Sequence, residues 1–186
     1  MLMHKEQASL LVVDIQEKLA PAVVDAAGMA ARCRWLIGVA ADHGLPVVFS
    51  EQYPRGLGHT LPELLAQAPD SQVVEKTHFS CVAANCLPET VLLRPQTIVC
   101  GMEAHVCVLQ TVLELLELLE LDKQVFVVAD AVSSRKVSDI ELGLQRMRDA
   151  GAVIVSKEMV LFECLRQAGG EHFKRMSQRY LVGEQP

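Results

Sequence analysis

The residue best suited to covalent chemistry in this chain is Cys107. The apolar run Thr97-Ile98-Val99-Cys100 predicts a buried strand, Gly101 permits a sharp turn, and a long Leu-rich helix follows. The thiol therefore stands at a helix N-terminus, where backbone NH groups are unpaired and the helix dipole is positive. Such a position favours a thiolate over a thiol, and the NH groups of residues 103–107 can hold an adjacent oxyanion.

Other polar side chains follow the neighbouring predicted strands. Asp14 ends the first strand, Lys76 follows the third and Cys107 follows the fourth. Glu51 follows the second strand and Asp130 ends the fifth. The carboxyl ends of parallel strands lie at one edge of a sheet, so we expect these groups to meet there. In that cleft Asp14 takes the thiol proton, while Lys76 keeps Asp14 ionised and favours the thiolate.

Short apolar strands alternate with amphipathic stretches along the whole chain. The predicted strands cover residues 9–15, 46–50, 71–75, 96–101, 124–130 and 152–156. The predicted helices cover residues 26–43, 105–121, 138–150 and 158–166, and a polar tail follows. Continuous apolar strands suit a sheet that is covered on both faces. The pattern predicts a three-layer α/β/α fold with a six-stranded, mostly parallel sheet, doubly wound in the Rossmann-like manner.

Composition sets bounds on size and partners. The 186 residues suit a single domain, 1–186, with a core of about 9–166 and a tail of 167–186. The formal charge of −6 and the lack of a basic stripe predict that nucleic acid is not a partner. Neither a signal peptide nor a membrane span is recognisable, so we expect a cytoplasmic protein without membrane contact.

The six cysteines are irregularly spaced and include no Cys-x-x-Cys pair. In a chain with a full core they are interpreted as reduced thiols rather than as a disulfide framework. Zinc is disfavoured because the pair formed by Cys81 and Cys86 has no matching second pair. Apart from Cys107, the cysteines are interpreted as core or incidental thiols: Cys33, Cys81, Cys86, Cys100 and Cys164.

Three motifs, each after a predicted strand, carry a resemblance to a known family. They are Val12-Val13-Asp14-Ile15-Gln16, Glu75-Lys76-Thr77-His78-Phe79-Ser80 and Gly101-Met102-Glu103-Ala104-His105-Val106-Cys107-Val108-Leu109-Gln110-Thr111. From Ser9 to Arg166 the chain resembles the isochorismatase-like cysteine hydrolases, which include nicotinamidases and carbamoylsarcosine amidohydrolases. It is most like the isochorismatase domain-containing branch. One motif alone would be a weak signal, whereas the three in this order are specific.

The resemblance implies a catalytic triad of Asp14, Lys76 and Cys107. It also implies a cis peptide bond between Met102 and Glu103, which turns the Glu103 NH toward the Cys107 NH to make an oxyanion hole. The implied reaction is attack of the thiolate on an amide or related carbonyl of a small molecule. An amine or ammonia then leaves, and water hydrolyses the thioester.

The substrate pocket is less well defined by the sequence than the triad. Gln16, Leu19, Phe79 and Ser133 are candidate pocket residues, and core packing or a capping turn is the competing interpretation. Nicotinamidases bind a metal through an Asp-x-His pair and a further His after the second strand. Only His59 is present in the corresponding segment of this chain, so we expect neither a metal nor a cofactor.

Taken singly, each triad residue has an ordinary structural explanation. Asp14 could be a helix or turn cap, Lys76 a surface residue and Cys107 a small core residue. Their joint placement at one edge of the sheet favours a catalytic role instead. His105 lies two residues before the thiol, a spacing at which helical side chains do not face each other. A non-catalytic binding protein that keeps the hydrolase fold is the alternative function. A thiol redox sensor is a third, disfavoured because no neighbouring resolving cysteine is evident.

The helix predicted over 105–121 bears on assembly. Glu114, Glu117 and Glu120 form a narrow acidic stripe surrounded by Leu and Val. A helix this apolar needs cover on more than one side, from the fold itself or from a second subunit. We expect a homo-oligomer.

Overall fold

One parallel sheet forms the centre of the molecule. The computed structural model describes residues 1–118 and 122–182. Its strands are β1 (Ala8–Val13), β2 (Val47–Gln52), β3 (Gln72–Lys76), β4 (Gln96–Met102), β5 (Gln124–Ser133) and β6 (Val153–Val155). They pair in the order β3-β2-β1-β4-β5-β6, and every pairing is parallel. The predicted six-stranded α/β sheet is confirmed.

Helices cover both faces of this sheet. In chain order they are α1 (Ala26–Asp42), α2 (Pro54–Leu57), α3 (Pro62–Leu65), α4 (Glu89–Leu92), α5 (Cys107–Glu117), α6 (Val137–Asp149), α7 (Lys157–Leu165) and α8 (Gly170–Tyr180). Alternate residues of β1 point to opposite faces of the sheet. Leu10 and Val12 pack in an apolar cluster with α1, whereas Leu11 and Val13 pack in a second cluster with α5, which confirms the three layers. Among the described residues, no helix has the length and apolar character needed to cross a membrane.

Strand β1 lies inside the sheet and determines where the site forms. All of its residues are buried, as the apolar run Leu10-Leu11-Val12-Val13 predicts. Val13 pairs with Ser50 of β2 on one side and with Gly101 of β4 on the other. The strand order reverses here, because β2 and β3 lie on one side of β1 and β4 to β6 lie on the other. In such sheets the crevice outside the carboxyl ends of the strands at this point is the usual ligand site.

Helix α5 is shorter than the helix predicted over 105–121. It begins at Cys107 and ends at Glu117, and residues 119–121, including Glu120, lie outside the described residues. Its leucines are buried or half-buried in a cluster shared with the sheet and α6. The chain therefore supplies much of the cover that this helix needs, and the homo-oligomer stays a prediction.

Strand β5 is longer than predicted. The sequence predicts that it ends at Asp130, but the strand continues to Ser133, with a register shift against β4. Ala131 and Val132 are buried and continue the apolar run beyond the aspartate. Asp130 therefore lies within the strand, and the prediction that it ends the strand is wrong.

The tail predicted over 167–186 contains helix α8. Met176 and Tyr180 of this helix are buried against Val39 and Leu161. The Tyr180 hydroxyl donates a hydrogen bond of 2.7 Å to Asp42 at the end of α1. The helix is amphipathic, so its apolar side belongs to the folded domain although the segment as a whole is polar.

Candidate active site

The carboxyl ends of β1 and β3 and the start of α5 bring Asp14, Lys76 and Cys107 together. We call these three residues the Asp14–Lys76–Cys107 cluster. The side chains of Asp14 and Lys76 are completely buried, and Cys107 is 4% exposed. Two formal charges and a thiol therefore share a space from which bulk water is excluded.

Asp14 is held in one orientation by its neighbours. Its φ of 53° lies in the left-handed region, which aspartate tolerates better than most residues. The Ser50 hydroxyl donates a hydrogen bond of 2.6 Å to Oδ1, and the Lys76 ammonium donates one of 2.7 Å to Oδ2. Burial raises the pKa of Asp14 above its ordinary value, although Lys76 and Ser50 act in the opposite direction. A carboxylate with a raised pKa is a stronger base.

Lys76 is paired on both sides within the protein. Its Nζ also donates a hydrogen bond of 2.7 Å to Oε1 of Gln52. Burial acts to lower the pKa of Lys76, but the negative charge of Asp14 and the proximity of Cys107 outweigh it, so the pKa is raised. The ammonium therefore stays charged and compensates the buried carboxylate.

Cys107 is the first residue of α5 and faces this ion pair. Its thiol lies near enough to the Asp14 carboxylate for each group to shift the pKa of the other. Burial and the Asp14 charge raise the pKa of Cys107 to about 12, and Lys76 opposes them. The prediction of a resting thiolate is therefore wrong, because desolvation and a neighbouring anion outweigh the helix N-terminus and the ammonium. At rest the sulfur is a thiol poised to give its proton to Asp14.

The backbone between β4 and α5 lies beside the sulfur. The Met102–Glu103 peptide bond is cis, as the resemblance implies. The Ala104 amide donates to the Ser133 carbonyl at 2.8 Å, which ties this segment to the end of β5. Within residues 1–118 and 122–182, neither the Glu103 amide nor the Cys107 amide has a hydrogen-bond acceptor. Both donors are thus free for an oxygen of a bound molecule.

The sequence of the matched region decides the family. The family model of the isochorismatase domain matches residues 8–159, a span that contains the whole Asp14–Lys76–Cys107 cluster. The chain belongs to the isochorismatase family. Isochorismatase domain-containing protein 2A of Mus musculus is 36% identical, and the match covers 92% of this chain and 81% of that protein.

Two solved structures share the isochorismatase fold over nearly all of this chain. MAR1 ribonuclease from Caenorhabditis elegans is 34% identical, with a TM-score of 0.88, and covers 100% of this chain and 95% of its own. YcaC from Pseudomonas aeruginosa, solved with hexane-2,5-diol and covalent acrylamide, is 25% identical, with a TM-score of 0.83. That match covers 97% of this chain and 92% of the other.

The candidate pocket residues of this isochorismatase domain have different surroundings. The Gln16 side chain is buried, donates to the carbonyls of Gln52 and Gly58 and accepts from the Gln52 amide. Ser133 is also buried, and its hydroxyl donates to the Val24 carbonyl at 2.5 Å. The polar atoms of Gln16 and Ser133 are thus engaged in holding loops. Leu19 is half-buried against the core, and Phe79 is 52% exposed after β3.

Three other polar groups singled out by sequence have structural partners. Glu51 is buried and accepts hydrogen bonds from the amide and hydroxyl of Thr60, and it pairs with His59 at 3.0 Å. Asp130 accepts from the Lys157 amide at the start of α7, outside the cluster. His105 forms a hydrogen bond of 3.0 Å with the Ser134 hydroxyl. In the described part of the chain, no three His, Cys, Asp or Glu side chains are grouped as metal ligands, so the residues near His59 do not fit the nicotinamidase metal.

Sequence reasoning missed Ser50 and Gln52, which position Asp14 and Lys76. Both lie in β2, where the apolar run Val47-Val48-Phe49 changes to buried polar residues. That change was the available signal, because a polar side chain buried in a parallel strand needs a partner. The register of the two strands then determines the partner of Ser50. Ser50 of β2 pairs with Val13 of β1, and Asp14 is the next residue after Val13.

Proposed function

We propose that this protein is a cysteine hydrolase that cleaves a small amide-like substrate through a thioester on Cys107. The observation that carries the proposal is a buried ion pair of Asp14 and Lys76, 2.7 Å apart, beside the buried Cys107 thiol, whose pKa the Asp14 charge raises. A nucleophile, a base and a group that orients the base within hydrogen-bond reach are the signature of nucleophilic catalysis. The proposed mechanism uses neither a metal nor a cofactor.

The proton and the sulfur act together in the proposed first step. As Cys107 attacks the carbonyl carbon, its proton passes to Asp14, and the carbonyl oxygen becomes an oxyanion. The free amides of Glu103 and Cys107 stabilise that oxygen. Asp14 then returns the proton to the departing nitrogen, which leaves as ammonia or an amine. In the second half, water attacks the thioester and Asp14 takes a proton of that water. The bond between the carbonyl carbon and sulfur then breaks, the carboxylic acid leaves, and Asp14 returns the proton to the Cys107 sulfur.

Lys76 keeps Asp14 ionised at the start of each catalytic cycle. With the ammonium 2.7 Å away, Asp14 holds a negative charge inside the protein until it accepts the thiol proton. The raised pKa of Asp14 is closer to the pKa of the Cys107 thiol. Transfer of the proton from the sulfur to Asp14 therefore costs less free energy.

A substrate panel tests the proposal. Small amides, ureas and a short single-stranded RNA are incubated with the enzyme, and the release of ammonia, amine or nucleotide is measured. A protease that cleaves after glutamate isolates Cys107 on the peptide 104–114, where an acid-quenched acyl adduct adds its mass. We expect an adduct with an amide and no cleavage of RNA, because the only cation of the cluster is buried and paired.

Acrylamide provides a probe that needs no substrate. It is covalently bound in the P. aeruginosa YcaC structure, and it adds to thiolates. We expect it to label Cys107 faster than Cys164, which is equally buried and whose pKa burial also raises to about 12. No preference for Cys107, together with no turnover across the panel, would favour the non-catalytic binding protein instead.

The pH dependence should report on Asp14. A protonated Asp14 cannot accept the thiol proton, so activity falls as the pH falls through the pKa of Asp14. Ser50→Ala removes a hydrogen bond that lowers this pKa, so the acidic limb of kcat/KM should move up by about one pH unit. The measurement is the pH profile of kcat/KM for the best amide of the panel.

Ser9→Ala is the matched control for the Ser50 variant. Ser9 is a fully buried serine of β1, and its hydroxyl has no hydrogen-bond partner in the described part of the protein. Its replacement should leave the pH profile unchanged. An unshifted acidic limb in Ser50→Ala would mean that Asp14 is not the base.

A further inference from the structure

The loop between β3 and α4 contains a turn that joins Cys81 to Cys86. The Cys86 amide donates to the Cys81 carbonyl at 3.3 Å, and the Asn85 amide donates to the Val82 carbonyl at 2.8 Å. Asn85 has a φ of 50°, in the left-handed region. This pair of hydrogen bonds around a left-handed residue is the Schellman geometry, in which the first and last side chains commonly touch. We call residues 81–86 the cysteine turn.

The cysteine turn brings its two thiols close to each other. The Cys86 sulfur lies 3.4 Å from the Cys81 carbonyl oxygen, and each thiol shifts the pKa of the other. Cys81 and Cys86 are thus paired by the folded backbone itself. The spacing of Cys81 and Cys86 in the sequence does not predict this proximity, and their interpretation as core or incidental thiols did not include it.

The two thiols differ in access and in acidity. Cys81 is fully buried, whereas Cys86 is half-buried. The hydrogen bond from Cys81 and the nearby charge of Lys76 lower the pKa of Cys86, although burial opposes them. Cys86 is therefore the sulfur that ionises first and that a small oxidant reaches first.

We propose that Cys81 and Cys86 form a redox-active dithiol that hydrogen peroxide closes to a disulfide. The Cys86 thiolate attacks one oxygen of the peroxide, the O–O bond breaks, and a sulfenic acid and hydroxide form. The Cys81 sulfur then attacks the Cys86 sulfur, its proton and the sulfenic hydroxyl leave as water, and the S–S bond forms. In total two thiols are oxidised and one peroxide is reduced to two molecules of water. This chemistry does not depend on the proposed hydrolase reaction.

A second pair of adjacent thiols serves as an internal control. Cys33 lies close enough to Cys100 to raise the pKa of Cys100, but both are fully buried in the core. If proximity of two thiols were sufficient, this pair would oxidise as well. Of the two pairs, the cysteine turn alone combines proximity with access, so peroxide should distinguish them.

Peptide mapping tests the proposal on the full-length protein. Cleavage after glutamate places Cys81 and Cys86 together on peptide 76–89, Cys100 on 90–103 and Cys107 on 104–114. After treatment with hydrogen peroxide, unfolding and alkylation, most of peptide 76–89 should carry no alkyl group and be lighter by two hydrogen atoms. Dithiothreitol should restore alkylation, and Cys33 and Cys100 should stay alkylated throughout.

Three variants separate this disulfide from other reactions. Cys86→Ser should abolish the mass loss, and Cys81→Ala should leave a sulfenic acid on Cys86 that dimedone captures. Cys107→Ala should form the disulfide as readily as the unmodified protein, whether or not the chain is a hydrolase. The proposal is overturned if peptide 76–89 stays fully alkylated while other cysteines are oxidised. A cross-link between peptides 76–89 and 104–114 would also overturn it.

Discussion

Replacing Cys107 by alanine is expected to lower kcat for the amide substrate by roughly 10⁴-fold or more, to the background rate. The methyl group cannot form the thioester, and Asp14 then has no thiol at position 107 from which to take a proton. The residual rate would come only from binding and from the amides of the oxyanion site. Initial rates at saturating substrate, with the free energy of unfolding measured in parallel, check this.

Cys164→Ala is the matched control for this loss. Both cysteines are 4% exposed, and burial raises the pKa of each to about 12. Cys164 lies on α7, away from the cluster, so its removal should cost stability comparable to that lost at Cys107 without lowering kcat. Equal turnover by Cys107→Ala and the unmodified protein would rule out the thioester.

Gly101→Ala is expected to lower the free energy of unfolding by about 4 kcal/mol or more. Gly101 has a φ of 120°, and a Cβ atom there would lie 2.1 Å from the carbonyl oxygen of Val13. The obstacle is the backbone of β1, which cannot be removed by turning a side chain. To relieve the clash, β4 must move away from β1, and Cys107 moves with it away from Asp14. Urea unfolding gives the free energy, and acrylamide labelling reports the position of the thiol.

Gly151→Ala is the control that shows how much of the lost stability comes from the backbone conformation alone, without a steric clash. Gly151 has a similar φ of 106°, but a Cβ atom there would meet nothing within 4 Å. Its replacement should cost about 1–2 kcal/mol, the penalty of the conformation alone. If both variants lose the same stability, then close contact between β1 and β4 does not explain the glycine at 101.

Much of the fold follows from local apolar runs. Strands β1 and β4 are fully buried, so their sequences contain the apolar runs 10–13 and 98–100, and Asp14 and Gly101 mark their carboxyl ends. The β5 strand was predicted too short because an aspartate interrupts its run, and the sequence does not show that the strand continues past it. Helix α8 was missed although Met176 and Tyr180 stand four residues apart, because the polar residues around them dominate the segment.

The candidate site, like the fold, could be predicted from the sequence only in part. The positions of Asp14, Lys76 and Cys107 follow from strand ends, because parallel strands end at one edge. The protonation state of Cys107 does not, since it depends on burial and on the distance to Asp14, which are properties of the folded chain. The cysteine turn is likewise hidden in sequence, because four residues separate two thiols that only the turn brings together.

The hydrogen bonds of the Gln16 side chain affect how a ligand can be recognised. Its amide group joins the end of β1 to Gln52 and Gly58, and Glu51 holds Thr60 in the same loop. The loop of residues 52–60 is therefore ordered before any ligand binds, so a ligand that contacts it would not lose affinity to the entropy cost of ordering it. Selectivity on this side should arise from rigid shape complementarity. Compounds that already have the bound conformation should then gain affinity mainly by dissociating more slowly.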